Sequence, residues 1–321
     1  MVFAPGKRHA SVSIVNSPDS SAFGVAIEGS APAWPAQVPF VLPPFDSLNR
    51  QRSFIEIFPI GTQPIQYKLS ADKPWIKLSE GKAFSAGNHD HRVWVDIDWN
   101  QAPVGQSSGA IKIEGSPRSA EVKVVITKLT AEDEQSARGS FGVMDGPIGI
   151  NAQDAAANVA AGTVHWANIP DYGFGVSAMS IFPVTAASIE PPAPAPHLDY
   201  RVFFKKAGDY SIDLVTNPTL DLYPGRGLRV AVAIDDQTPQ VVDVFSGSGK
   251  VDETFLGRSY NENTRNNSRV MHFTQHVSAP GERTIKVVMV DPTIVVEKIV
   301  IHDKPLPRSY FGPQSAKISI Q

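Results

Sequence analysis

The stretch Glu121-Val122-Lys123-Val124-Val125-Ile126 decides the fold class, because charged and apolar side chains alternate along it. Successive side chains of a β-strand point to opposite faces, so this pattern predicts a strand with one face on a core and the other in water. The same alternation recurs in residues 11–15 (SVSIV), 209–214 (DYSIDL) and 283–288 (RTIKVV). Clusters of Pro, Gly, Asn, Asp and Ser separate these runs at short intervals, which is typical of antiparallel sandwiches.

A polar stretch divides the chain into two β-rich blocks. Residues 130–140 (TAEDEQSARGS) hold almost no large apolar side chain. Thr130 is a favourable helix N-cap and acidic residues follow it, so we expect one or two helical turns there. The Ala-rich segment Asp154–Ala160 is a candidate for a second short turn. We therefore predict an all-β protein of two antiparallel β-sandwich domains, at residues 1–130 and 141–321, joined by a linker at 131–140. The second domain is expected to be jelly-roll-like.

The composition excludes several classes of protein. The chain has 321 residues, 29 basic and 32 acidic side chains, a net charge of −3 and no cysteine. This charge balance opposes strong sequence-independent binding to nucleic acid or to anionic membranes, so neither is expected as a partner. The lack of cysteine excludes disulfides, thiolate nucleophiles and Cys-type zinc sites. No apolar run reaches the roughly 18 residues of a membrane span, and no secretory signal is visible.

No catalytic motif is recognisable, so we expect a protein that is not itself an enzyme. The sequence lacks HExxH, a Walker A motif and a GxGxxG that opens a helix. A glycosidase needs two carboxyl groups that face each other across a bond. The pairs considered are Asp96/Asp98 and Asp235/Asp236 for carboxylates, and His89/His91 and His272/His276 for metal ligands. Their spacing indicates strand faces and turns, and we predict neither catalytic residues nor a metal site.

Two segments have the composition of carbohydrate-binding loops, at residues 165–173 (HWANIPDYG) and 258–267 (RSYNENTRNN). Aromatic rings stack on the apolar face of a sugar, and amide or guanidinium groups make paired hydrogen bonds to its hydroxyls. Trp166 and Tyr172 are predicted as stacking rings, although Trp166 is equally well explained as a core residue. The predicted polar partners are Tyr260, Asn261, Arg265 and Asn267. The tryptophans of the first block, Trp75, Trp94 and Trp99, are interpreted as core and rim packing.

An ordered series of segments resembles the C-terminal region of glycoside hydrolase family 115. In the second block the series comprises WANIPDYG from Trp166, FPVT from Phe182, DY from Asp199, LRVAVAIDD from Leu228, MVDPTIVVEKIVI from Met289 and SYFGPQS from Ser309. The first block is similar to the stretch that precedes this region, through LPPFD from Leu42, WIKLS from Trp75, VDIDW from Val95 and APVG from Ala102. The resemblance covers the chain from about residue 40 to residue 317.

The resemblance implies a role beside a catalytic domain. Family 115 enzymes are xylan α-1,2-glucuronidases, and their catalytic site lies in an upstream α/β barrel that nothing in this chain resembles. The resemblance therefore implies a non-catalytic accessory region that binds or positions glucuronoxylan-type plant polysaccharide beside that barrel. It also implies a secreted or periplasmic location. One alternative is a purely structural or oligomerisation region of the parent hydrolase that binds no sugar. A second is a small esterase or lyase whose site the motifs do not reveal.

The second block also resembles the sugar-binding sandwiches of carbohydrate-binding module families 6 and 35. Those modules often hold a structural calcium ion with acidic residues of an early strand. The comparable segment here is residues 150–154 (INAQD), in which amides replace the carboxylates. Calcium gains most from charged oxygens, so we predict no cofactor. Asp154 and Asp291 are the carboxylates left to hold calcium if it binds.

Overall fold

The computed structural model describes residues 21–316 apart from residues 31, 81, 88, 117, 174, 176, 220, 221, 224, 246–262, 264, 307–311 and 314. Within this part the prediction of an all-β protein with antiparallel sandwiches is confirmed. The predicted strand at residues 11–15 lies outside the described residues, as do Tyr260 and Asn261. We refer to the sandwich before residue 130 as the first block and to the one after residue 140 as the second block.

Two sheets form the first block. Its strands are β1 (Phe23–Ile27), β2 (Phe45–Asp46), β3 (Ser53–Pro59), β4 (Ile65–Ala71), β5 (Ile76–Leu78), β6 (Lys82–Gly87), β7 (His91–Ile97), β8 (Gly105–Gly115) and β9 (Ser119–Lys128). One sheet has the order β1-β3-β7-β5 and the other the order β2-β9-β8-β4-β6. Ile55 and Val93 of one sheet meet Ile111 and Val124 of the other in a core from which water is excluded.

A short helix follows the first block, and two larger sheets follow the helix. The elements are α1 (Ala131–Ser136), β10 (Phe141–Val143), β11 (Ile148–Asn151), β12 (Ala157–Val159), β13 (His165–Pro170), β14 (Ser177–Phe182), β15 (His197–Phe204), β16 (Gly208–Thr216), β17 (Arg229–Ile234), β18 (Gln240–Asp243), β19 (Arg269–Val277), β20 (Gly281–Met289) and β21 (Val295–His302). One sheet runs β10-β15-β20-β17-β18 with β12 beside β15, and the other runs β13-β14-β21-β16-β19 with β11 beside β21. Apolar residues of both sheets form one core.

The strand registers give the second block two different ends. At one end lie the connections β14–β15, β16–β17, β18–β19 and β20–β21, each of which crosses from one sheet to the other. We call this the loop end, because it carries the longest connections. At the opposite end lie the shorter connections β13–β14, β15–β16, β17–β18 and β19–β20. We call it the turn end.

The first block contacts the second at the turn end. The side-chain amide of Asn49 donates from Nδ2 to the carbonyl oxygen of Gly142 at 2.6 Å, and the N–H of Gly142 donates to Asn49 Oδ1 at 3.0 Å. Asp145 accepts hydrogen bonds from Thr127 Oγ1 and Lys205 Nζ, both at 2.7 Å. A small apolar cluster fills the same junction and comprises Leu48, Leu129, Ala137, Met144 and Phe203. The domain boundaries at residues 130 and 141 stay predictions.

The two predicted helical turns have different outcomes. Residues 130–136 behave as expected, because Thr130 caps α1 by accepting a hydrogen bond from the N–H of Asp133 at 3.1 Å. The second turn is wrong, because only Ala152–Asp154 is a 3-10 turn and Ala157–Val159 is strand β12. Pairing of β12 with β15 outweighs the helix preference of alanine. None of the described helices is long and apolar enough to cross a membrane.

Candidate functional site

Trp166 is a core residue and cannot stack on a sugar from solvent. Only 1% of its surface is exposed, and its ring belongs to the main core of the second block. The indole N–H donates to the carbonyl oxygen of Pro196 at 3.3 Å, which satisfies its only polar group. The prediction of Trp166 as a stacking ring is therefore wrong for this fold.

The remaining predicted residues do not converge on one place. Tyr172 is exposed in the turn between β13 and β14, at the turn end. Arg265 and Asn267 are exposed just before β19, at the loop end. Since the registers place these segments at opposite ends of one sheet, they cannot contact the same sugar unit. Arg265 and Asn267 remain candidates, and Tyr260 and Asn261 precede them outside the described residues.

The residues considered for calcium do not form a cation site. Asn151 Nδ2 donates to Asp154 Oδ2 at 2.9 Å, and Asn151 Oδ1 accepts from the hydroxyl of Ser315 at 2.6 Å, so this amide is already satisfied. Asp291 is bound on both oxygens by the guanidinium of Arg229. Within the described residues, no group of three or more metal-ligating side chains is found. The side chains present therefore do not fit a calcium ion.

The histidine pairs considered as metal ligands do not converge, since His272 Nδ1 bonds to Asp213 and His276 Nδ1 bonds to Asp209. His91 lies in β7 and contacts Tyr67 and Glu80, whereas His89 is exposed. Asp213 is buried on β16 and accepts from His272 Nδ1 at 2.8 Å and His302 Nε2 at 3.1 Å. Burial raises the pKa of Asp213, but these hydrogen bonds outweigh it and hold the pKa below its usual range. The hydrogen bond to Asp213 raises the pKa of His272.

The candidate carboxylate pairs are structural. Asp96 accepts from Arg52 on a strand face, and Asp98 turns the chain by accepting from the backbone N–H of Asn100. Asp235 occupies a turn with a φ of 52°. Neither pair faces its partner across a cleft, so the expectation that these carboxylates serve strands and turns agrees with their positions.

A buried carboxylate organises the loop end. Asp291 has no exposed surface and accepts from Arg229 Nε at 2.9 Å, Arg229 Nη2 at 3.1 Å and the hydroxyl of Ser188. Burial alone raises the pKa of Asp291, but the hydrogen bonds from Arg229 and Ser188 hold it below its usual range. Arg229 Nη2 also lies 2.6 Å from Glu190 Oε1, and the Glu190 side chain is 63% exposed. This network fixes three connections of the loop end against one another.

An arginine lies on an exposed tyrosine ring beside this network. Arg226 Cζ is 4.3 Å from the centroid of the Tyr223 ring, which is half exposed. Arg226 Nε lies 3.8 Å from Asp291 Oδ1 and donates to the carbonyl oxygen of Gly227 at 3.3 Å. Among the described residues, the terminal nitrogens of Arg226 make no hydrogen bond. The arrangement places a half-exposed aromatic ring, a guanidinium on a side chain that is 22% exposed and the exposed Glu190 carboxylate at one end of the fold.

Reasoning from composition missed Tyr223, Arg226 and Glu190. The stretch LYPGR at residues 222–226 places two apolar side chains among turn residues between two strands. A turn cannot bury such side chains as a strand does, which is a usable signal for an exposed aromatic ring. The contribution of Glu190 depends on contacts with residues far away in sequence, and no local pattern reveals it.

Comparison with known proteins places this geometry in a family. The family model for the glycosyl hydrolase family 115 C-terminal domain matches residues 140–315, more than half of the chain. No curated protein matches the sequence.

Similar solved structures include a family 115 4-O-methyl-α-glucuronidase with specificity for decorated arabinogalactans, at 14% identity and a TM-score of 0.34 over 47% of this chain. They also include the C-terminal family 6 carbohydrate-binding module of a laminarinase from Zobellia galactanivorans, at 13% identity and a TM-score of 0.33 over 49% of this chain and 99% of that one. A family 35 carbohydrate-binding module from Clostridium thermocellum matches at 8% identity and a TM-score of 0.32, over 49% of this chain and 98% of that one. This chain spans 18% of the length of the family 115 enzyme. On the match to residues 140–315, the chain belongs to the glycosyl hydrolase family 115 C-terminal domain family.

Proposed function

We propose that the chain is a non-catalytic accessory region of a family 115 hydrolase that binds glucuronoxylan-type plant polysaccharide at the loop end of its second block. Membership of the family supports the carbohydrate-related role. The observation that carries the binding proposal is the half-exposed Tyr223 ring with the partly exposed guanidinium of Arg226 beside it. Such a substrate is met outside the cytoplasm, so the proposal includes a secreted or periplasmic location.

Each group at the loop end has a complementary group on the ligand. The exposed part of the Tyr223 ring contacts the apolar C–H face of a pyranose. The terminal nitrogens of Arg226 form the planar fork that pairs with a carboxylate, and the glucuronic acid branch supplies one. Glu190 accepts hydrogen bonds from sugar hydroxyls, and Arg265 and Asn267 add donors at the same end. We expect an affinity of about 10⁻⁴ to 10⁻⁵ M, since one ring and a few polar contacts make a small interface.

Affinity electrophoresis of the whole chain in gels that contain glucuronoxylan tests this proposal. Tyr223→Ala should raise the Kd by about fivefold to tenfold, because an aromatic contact worth roughly 1 kcal/mol is lost. Tyr172→Ala is the matched control, since Tyr172 is an exposed tyrosine at the turn end, and it should leave the Kd unchanged. Equal retention of the wild type and Tyr223→Ala would refute the choice of site. Release of reducing sugar by this chain alone would refute its non-catalytic role.

Specificity is tested by the choice of glycan. Arg226→Lys keeps the charge but loses the planar fork, so it should weaken binding to glucuronoxylan more than binding to unsubstituted xylan. A decorated arabinogalactan is a useful third probe, because a family 115 enzyme has that specificity. Stronger retention by arabinogalactan than by glucuronoxylan would change the proposed ligand and keep the proposed site.

A structural role is the second candidate, and the apolar surface of the loop end favours it. Phe182, Val184, Leu222 and Tyr223 are all exposed large apolar residues at this end. Exposed patches of this kind also mark contacts with other protein domains, here the catalytic barrel of the parent enzyme. This candidate predicts no retention by any glycan, together with loss of barrel binding in Leu222→Asp measured by calorimetry.

A further inference from the structure

A second group of aromatic and charged side chains lies on the solvent face of the first block. We call it the aromatic–arginine ladder, and it comprises Arg52 just before β3, Phe54 and Glu56 of β3, and Arg92, Trp94 and Asp96 of β7. The register pairs Phe54 with Trp94 and Glu56 with Arg92. Ile55 and Val93 between them point into the core and have no exposed surface. The ladder therefore faces outward, and Trp94, which the sequence analysis interprets as core or rim packing, is half-buried on this outer face.

The ladder has an aromatic row between two ion pairs. The ring centroids of Phe54 and Trp94 are 5.6 Å apart, with the rings at 73°. Arg92 Cζ lies 4.1 Å from the Phe54 centroid, and Arg52 Cζ lies 4.6 Å from the Trp94 centroid. Arg92 Nη2 donates to Glu56 at 2.6 Å, and Arg52 Nε donates to Asp96 at 3.1 Å. Each guanidinium is therefore held in place by both a ring and a carboxylate.

The ladder leaves hydrogen-bonding groups unused. Both bonds from Arg92 go to Glu56 Oε1, so Glu56 Oε2 and Arg92 Nη1 have no partner among the described residues. Asp96 Oδ1 and the two terminal nitrogens of Arg52 are likewise without a partner there. The charged side chains of both pairs are between 34% and 50% exposed, so these groups face solvent. Donors and acceptors thus alternate around the edges of two partly exposed rings.

The charges determine which ligand fits. Each guanidinium is neutralised by its own carboxylate, so the face attracts neither an anion nor a cation strongly. A hydroxyl group can donate to an open carboxylate oxygen and accept from an open guanidinium N–H, which matches this alternation. The aromatic row lies between the two ion pairs, which are four residues apart along each strand. They are therefore roughly 13 Å apart, a distance longer than one sugar ring. An uncharged, hydroxyl-rich chain satisfies these conditions.

We infer that the aromatic–arginine ladder is a second polysaccharide-binding surface, which takes an uncharged stretch of glycan main chain. The class of ligand rests on the proposed function, whereas the position does not. Because Asn49 and Asp145 join the two blocks, one chain presents this surface and the loop end at a fixed separation. Binding at both raises the apparent affinity for a long polymer through the effective concentration of the second site.

Calorimetry and affinity electrophoresis of the whole chain with unsubstituted xylan test the inference. Trp94→Ala should raise the Kd for unsubstituted xylan by about fivefold, because the central ring of the ladder is lost. Glu56→Gln keeps the side-chain volume and should raise the Kd by about threefold while the melting temperature stays the same. The control is Lys112→Ala, on the exposed face of β8, which should change nothing.

The variants separate failure of the two sites. Trp94→Ala should affect both xylan and glucuronoxylan, and Tyr223→Ala should affect glucuronoxylan chiefly. The ladder would be refuted if unsubstituted xylan does not retain the wild type, or if Trp94→Ala and Glu56→Gln both bind within about twofold of it. In that case the ladder only stabilises the sheet. Loss of binding to a purified catalytic barrel in Trp94→Ala, with xylan binding intact, would also refute it in favour of a protein partner. Loss of the Tyr223 effect alone would refute the loop-end site and leave the ladder standing.

Discussion

Replacing Asn49 with alanine should uncouple the two blocks. Asn49 is buried, and its side-chain amide bonds to both the N–H and the carbonyl oxygen of Gly142. The amide thus pairs with Gly142 as the backbone of a neighbouring strand would. The same Nδ2 donates to Asp46 Oδ2 at 2.9 Å, which fixes the amide in the turn that follows β2. A side chain at position 142 would meet Leu48 at 2.5 Å, so glycine permits this close approach.

The cost follows from the groups left without partners. The alanine variant leaves the N–H and the carbonyl oxygen of Gly142 without a hydrogen bond in a buried place, at about 1–3 kcal/mol each. Water that enters the space offsets part of this loss. We expect the free energy of unfolding to fall by about 2–4 kcal/mol, which corresponds to roughly 5–10 °C in melting temperature for a chain of this size.

Urea unfolding, monitored by hydrogen exchange, measures the loss of stability in each block separately. The wild type should unfold in one transition, and Asn49→Ala in two, with faster exchange at Phe141–Val143. Asn100→Ala is the control, since Asn100 is an exposed asparagine of the first block whose side chain makes no hydrogen bond among the described residues. A loss below about 0.5 kcal/mol with one unchanged transition would show that the Asn49 contact does not couple the blocks.

Three further predictions concern buried or charged side chains. Trp166→Ala should lower the free energy of unfolding by about 3–5 kcal/mol through a core cavity, and glycan retention well below the melting temperature should not change; loss of retention in the folded variant would return Trp166 to the site. His272→Gln should lower the free energy of unfolding by up to about 1 kcal/mol between pH 3.8 and 6.5. In this range both groups of the pair are charged, because the pKa of Asp213 is lowered from 3.8 and the pKa of His272 is raised from 6.5. The effect should disappear as the pH rises through the raised pKa of His272. An equal shift of the urea unfolding midpoint at pH 5 and at pH 9 would contradict this prediction. Asp145→Asn should destabilise the junction by about 1–3 kcal/mol at pH 7. Burial raises the pKa of Asp145, but hydrogen bonds, of which that from Lys205 is the strongest, hold the pKa well below 3.8. The difference in unfolding free energy between the variant and the wild type should therefore shrink as the pH falls below 3.8.

Local alternation predicted strands well, because the apolar and polar faces of a half-buried strand appear in the sequence as alternating apolar and polar residues. The run at residues 121–126 lies within β9, and those at 209–214 and 283–288 lie within β16 and β20. The cap at Thr130 was equally local, since its hydrogen bond spans three residues. Whether Trp166 faces a core was not local. Its cover includes Pro196, thirty residues away, and composition alone cannot show that contact.

Sites that depend on register were beyond prediction from sequence. The segments that contain Tyr172 and Arg265 have a similar composition of polar and aromatic residues. Their separation in space follows from the pairing of β14, β21, β16 and β19. The end at which each loop lies follows from the order and direction of these strands, and the side-chain pattern alone does not give them. In the ladder, alternation places Trp94 on the face of β7 that carries Arg92 and Asp96, away from the core. The sequence does not show that β3 pairs with β7 and brings Phe54 beside Trp94.

The position of the junction explains why the loop end can hold a binding site. Asn49 bonds to Gly142 of β10, and Thr127 bonds to Asp145, which also pairs with Lys205 of the β15–β16 connection, so the first block contacts the turn end. The connections that cross between sheets at the loop end are longer and carry no described contact with the first block, while the Asp291 network holds them together from beneath. Loops supported in this way can change sequence without disturbing the junction. The fold thus separates the surface that fixes the domain from the surface that can meet a ligand, and insertions in the β16–β17 connection should alter glycan retention while the unfolding midpoint of the junction stays the same.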